Sequence, residues 1–212
     1  DDSNPSEVLC TPTPCTVAGL GYGHGTHVAG LIALSAPLAK IVPYRVLDPN
    51  GEGNAWVLAE ALYRAIDPDG NPATDDGAHV INLSLGTQLR TQALASIAKL
   101  FSCEPPDEAD PLLNFSDLGY AADKARCAES SGPVIVAAAG NDGSGSVNEY
   151  PAAESVYGLI SVGASNDTRH LATFSNSGSW VQIAAPGEGI TSAIPTSATP
   201  STAAALSATS PA

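Results

Sequence analysis

Val134-Ile135-Val136-Ala137-Ala138-Ala139-Gly140-Asn141-Asp142 decides how the chain folds. Six apolar residues run without a polar interruption. A strand with one wet face alternates apolar and polar, so an unbroken run is a strand buried on both faces. Such strands belong to parallel sheets covered by helices on each side. The Gly-Asn-Asp that closes the run is turn chemistry. It delivers an amide side chain to the carboxyl end of the sheet, where open α/β sheets bind their ligands.

The flanking sequence repeats the theme. His79–Leu85, Gly158–Gly163 and Trp180–Ala184 read as further short strands, and Lys40–Leu47 as another ahead of an Asp-Pro-Asn-Gly turn. Between them, Trp56, Ala59, Leu62, Tyr63 and Ile66 recur in steps of three and four, which predicts a helix over Ala55–Ile66. Thr91–Leu100 and Gly119–Ser130 also read as helices, with Ser102–Leu118 as a loop insertion. Gly21–Leu34 opens with glycines and turns apolar, a loop feeding a buried helix. Strands alternating with helices give the fold class: α/β, a three-layer α/β/α sandwich with a mostly parallel sheet. Residues 1–195 form one domain of this kind, opening on a surface loop over residues 1–20. Residues 196–212 are almost all Ala, Ser, Thr and Pro, a low-complexity tail with little to bury.

Composition narrows the function. The 212 residues carry 22 acids against 8 bases, a net charge of −14. Nucleic acids and anionic membranes require a basic footprint, which this chain lacks. No apolar run approaches the roughly 18–20 residues of a membrane helix, so membrane insertion is not expected. Cys10, Cys15, Cys103 and Cys127 fit no zinc spacing. An even count in an acidic, Lys-poor chain points to disulfides and a secreted or extracellular protein. Cys10–Cys15 and Cys103–Cys127 are the favoured pairings because each closes a local loop; four free thiols are the alternative. Oligomeric state is not legible in the sequence.

Four segments taken together resemble the subtilisin family of serine peptidases. They are Gly23-His24-Gly25-Thr26-His27-Val28-Ala29-Gly30, Val80-Ile81-Asn82-Leu83-Ser84-Leu85-Gly86, the stretch quoted first, and Tyr150-Pro151-Ala152-Ala153 followed by Leu159–Ala164 and Ala184-Ala185-Pro186-Gly187. They occur in the family's order across roughly residues 21–195. The resemblance implies an endopeptidase that hydrolyses polypeptides through an acyl-enzyme. It gives His24 the role of general base, taking the nucleophile's proton and returning it to the leaving amine. His27, three residues on, reads as a buried structural histidine. Asn141 takes the role of oxyanion donor. Gly51-Glu52-Gly53, Ser84-Leu85-Gly86 and Ala139-Gly140 resemble the edges that bind substrate as an added strand; read as residues alone, they are turn and packing positions. Tyr150-Pro151 resembles the family's cis peptide.

Two parts of the pattern differ. No Asp-Ser/Thr-Gly strand precedes His24, so the orienting Asp is expected in sequence upstream of Asp1. The nucleophile motif Gly-Thr-Ser-x-Ala-x-Pro meets Pro195-Thr196-Ser197-Ala198-Thr199-Pro200. Proline replaces the glycine, and a residue is missing after Ser197, which turns a helix start by about 100°. Ser197 is either a remnant nucleophile or an ordinary serine of the tail. The chain alone is therefore expected to be inactive. The rival readings are a non-catalytic peptide-binding protein, or a structural module completed by another chain. No cofactor is required. Asp67, Asp69, Asn71, Asp75 and Asp76 form an oxygen-rich loop that reads as a solvated acidic turn, with calcium as the alternative.

Overall fold

A computed structural model of the chain describes residues 21–71, 74, 76–91, 95, 132–154 and 156–195. The four cysteines, the Ser102–Leu118 insertion, the helix expected over Gly119–Ser130, most of that over Thr91–Leu100, Asp75 and the tail with Ser197 lie outside these residues. Residues 21–58 and 187–195 belong to one compact unit, and residues 59–186 to another.

The second unit holds the sheet. Strands β1 (Val80–Leu83), β2 (Val134–Ala138), β3 (Leu159–Ser165) and β4 (Ile183–Pro186) are all parallel and stand in that order. The quoted apolar run is β2, an inner strand, and Ile135 and Ala137 on it are buried together with Leu159, Val162 and Ala164 of β3. Ala138, on the opposite face of β2 from Ile135 and Ala137, is buried too, and this burial on both faces leaves β2 without a polar residue. β1 is the edge strand, and among the described residues nothing pairs along its other side. Val80 there is 60% exposed. β3 runs two residues beyond the expected strand because Ser165 still pairs with Pro186. β4 starts later than expected because Ser161, fully buried, takes up the backbone before it. Its hydroxyl donates to the Trp180 carbonyl and accepts from the Gln182 amide.

Helix α2 (Ala55–Ile66) forms as the periodicity predicts, but its buried face is Leu58, Leu62, Ala65 and Ile66. Trp56, counted with that stripe, is 79% exposed. The side-chain oxygen of Asn54 accepts from the Val57 amide at 2.9 Å, an N-cap bond that starts the helix. At the other end the Ala78 amide donates to the Ala65 carbonyl at 2.7 Å, which ties the strand approach to the last helical turn.

In the first unit, helix α1 (His24–Ser35) follows the glycine-rich segment. Its expected burial is limited to His27, while Leu34 is 73% exposed. The strand expected over Lys40–Leu47 is absent. Leu47 makes a single antiparallel bridge to Gly53, and residues 40–46 form no regular element. Extended apolar sequence becomes strand only beside a second strand, and none of the described strands runs along this segment.

Candidate active site

His24 is the first residue of α1. The turn before it requires Gly23, which sits at φ 89° as the helix N-cap, a left-handed conformation that costs other residues about 1–2 kcal/mol. Gly21 packs backbone to backbone against the next loop. Its amide donates to the Pro49 carbonyl at 2.8 Å, and a Cβ on Gly21 would stand 2.6 Å from the Gly51 nitrogen. Gly51-Glu52-Gly53 is thus brought beside the segment that carries His24. Asp48 shapes that turn, accepting from the amides of Asn50 and Glu52 at 2.9 Å each. His27 is buried as expected, and its carbonyl accepts from the Ser192 hydroxyl at 2.7 Å.

In the second unit, β1 and β2 pair in register, Leu83 opposite Ala137. Parallel neighbours in register end side by side, so Ser84-Leu85-Gly86 and Ala139-Gly140-Asn141 leave the sheet at the same edge. Gly140 turns at φ 94°, and Asn141 follows it, exposed. The Tyr150–Pro151 bond is cis, and Tyr150 exchanges two backbone hydrogen bonds with Thr87, at 2.9 and 2.8 Å.

Three residues that shape this edge escaped the sequence reading. Asn176 is fully buried; its Oδ1 accepts from the amides of Asp142 and Ser144 at 3.0 and 3.2 Å, and its Nδ2 donates to Asp142 Oδ2 at 3.0 Å. Its own amide donates to the Gly140 carbonyl at 3.0 Å. One side chain therefore moulds the loop that presents Asn141. The only hint in the sequence is a run of small polar residues, Ser175-Asn176-Ser177-Gly178, after Phe174. Glu154, also buried, receives a two-pronged contact from Arg90, Nε to Oε1 at 3.0 Å and Nη2 to Oε2 at 2.9 Å. That contact holds the Arg90 guanidinium above its ordinary pKa through the hydrogen bond and then the charge of Glu154. Glu149 lies against Gly86 and Gly140, and its carboxyl is held above the usual range by burial first and by the charge of Asp142 second.

The acidic loop places ligand oxygens of Asp67, Asp69 and Asp76 within 4.8 Å of one another. Asp69 is engaged by the turn itself, accepting from the Asn71 amide at 2.8 Å and the Thr74 hydroxyl at 3.0 Å. Asp67 Oδ1 is buried without a hydrogen-bond partner. Three carboxylates are a partial donor set against the roughly six to eight oxygens that calcium takes. No described helix is long and apolar enough to cross a membrane.

Comparison with known proteins gives consistent matches. Residues 14–212 match the model of the Subtilase family. The chain is 37% identical over 181 residues to the thermophilic serine proteinase of Bacillus sp. (strain AK1), covering 81% of this chain and 36% of that protein. It is 36% identical over 200 residues to thermitase of Thermoactinomyces vulgaris, covering 90% and 57%. Among solved structures, a cold-adapted subtilisin-like serine proteinase superposes with a TM-score of 0.55 at 30% identity, over 81% of this chain and 51% of that one. The chain spans between about a third and just over half the length of these relatives.

Proposed function

The chain belongs to the Subtilase family, and on that premise we propose that its protein is a secreted serine endopeptidase acting on polypeptides. In this reading His24 is the base that takes and returns the proton, and Asn141 donates to the oxyanion. No described residue is assigned as the nucleophile or as the orienting carboxylate. No cofactor enters the chemistry. Substrate lies extended against Ser84-Leu85-Gly86 and Ala139-Gly140.

The observation that carries the reading is the paired exit of β1 and β2. It leaves two short glycine-containing edges next to each other, followed at once by an exposed Asn. Backbone edges that end side by side in this way suit a peptide added as a further strand.

The test is a fluorophosphonate probe, which reacts only with an activated serine, applied to the full-length protein and its His24→Ala variant. The proposal expects covalent labelling and casein hydrolysis, both reduced by about a hundredfold or more in the variant, the scale of lost acid–base catalysis. Tight peptide binding with no labelling would replace the enzyme by a peptide-binding protein.

A further inference from the structure

We infer that Glu149 makes the space between the Gly86 and Gly140 edges a receptor for a cationic side chain, so that the protein selects polypeptides with Lys or Arg at the residue seated there. The inference rests on the proposal that these edges bind an extended peptide.

The geometry is specific. A Cβ on Gly86 would stand 2.5 Å from Glu149 Cγ and 2.6 Å from its Oε1. A Cβ on Gly140 would stand 3.3 Å from the same Cγ and from Oε2. The carboxylate therefore straddles the two strand ends, and both are glycine where it passes. Its backbone is fixed by the two hydrogen bonds between Thr87 and Tyr150.

The surrounding charges leave this carboxylate unmatched. Among the described residues no donor reaches it. Asp142, the neighbouring acid, is already served by Asn176 Nδ2 at 3.0 Å and Gln88 Nε2 at 3.1 Å. Arg90, whose guanidinium stands 6.0 Å from the Tyr150 ring, is committed to Glu154. A half-buried carboxylate beside a second acid is costly unless a cation completes it. Burial and Asp142 both push the Glu149 carboxyl upward, which agrees with a charge held without a partner. A neutral side chain seated there would desolvate the carboxylate without compensation, and an acidic one would be repelled. A Lys or Arg would supply a charge-assisted hydrogen bond. The net charge of −14 also favours the approach of cationic segments.

Fluorescence anisotropy on the full-length protein tests this, with fluorescein-labelled tetrapeptide amides that share Ala-Ala-Pro and end in Lys, norleucine or Glu. Norleucine matches the Lys stem without its charge. The expected order is Lys tightest, by about tenfold or more over norleucine, with Glu weakest. In Glu149→Gln the Lys and norleucine affinities converge. Lys and norleucine binding within twofold in the unaltered protein would overturn the inference and leave the peptide-binding proposal standing. A Lys preference that survives in Glu149→Gln would also overturn it. Failure of all three peptides to bind would remove the peptide-binding proposal, and the inference with it.

Discussion

Replacing Asn176 by Ala removes the side chain that holds the loop after β2. Three hydrogen bonds are lost: two from the amides of Asp142 and Ser144, and one to the Asp142 carboxylate. The Gly140 carbonyl keeps its partner, because that bond comes from the Asn176 backbone. Each lost bond is worth about 1 kcal/mol net, and a buried group left without a partner costs about 1–3 kcal/mol. Asp142 is exposed and recovers water, so the total comes to about 2–3 kcal/mol. Against a whole stability of about 5–15 kcal/mol, that is a large fraction. In a domain of this size it lowers Tm by about 4–12 °C. Urea denaturation of the full-length protein, followed by circular dichroism, measures it. Asn176→Asp adds a sign test, because it keeps the acceptor but sets a second carboxylate against Asp142. It should be worse than Ala at neutral pH and recover as acid protonates the pair. A loss below about 0.5 kcal/mol in Asn176→Ala would refute the argument, since water would then be replacing all three bonds freely.

Arg90→Ala leaves the Glu154 carboxylate buried with its two-pronged partner gone; because the Arg90 side chain is 60% exposed, the cost is discounted to about 1–2 kcal/mol, read from the same urea curves. Gly23→Ala forces a Cβ into φ 89° and should cost about 1–2 kcal/mol; it should also lower the rate of probe labelling, because the strain falls on the turn that aims His24. Glu149 titrates above the usual carboxylate range, so the native state holds its proton more tightly than the unfolded chain does. Stability assigned to it is therefore full below the ordinary carboxyl pKa of about 4.3 and declines as pH rises through the raised native value. Glu149→Gln should accordingly raise Tm at pH 7 and change it little near pH 4, which thermal melts across that range would show.

The sequence by itself determined the elements whose signals are local. The unbroken apolar run of β2 and the mainly apolar runs of β1 and β3 could be read because burial in the sheet favours apolar residues. Helix α2 was legible because a period of 3.6 residues leaves its mark whatever the helix packs against, although which apolar residues face inward was not. The glycines around His24 and Asn141 marked both positions, since only tight turns and close backbone approaches require them. The tertiary structure decided whatever depends on a distant partner. Lys40–Leu47 has the composition of a strand, yet among the described residues no strand runs beside it, and only Leu47 makes a bridge, to Gly53. Asn176 lies 34 residues from the Asp142 it holds, and Arg90 lies 64 residues from Glu154. Glu149 looks like any loop acid until the Thr87–Tyr150 pairing lays it between Gly86 and Gly140. Periodicity and turn chemistry record only a residue's own neighbours along the chain; hydrogen bonds and charges act through space, and the fold alone sets those distances.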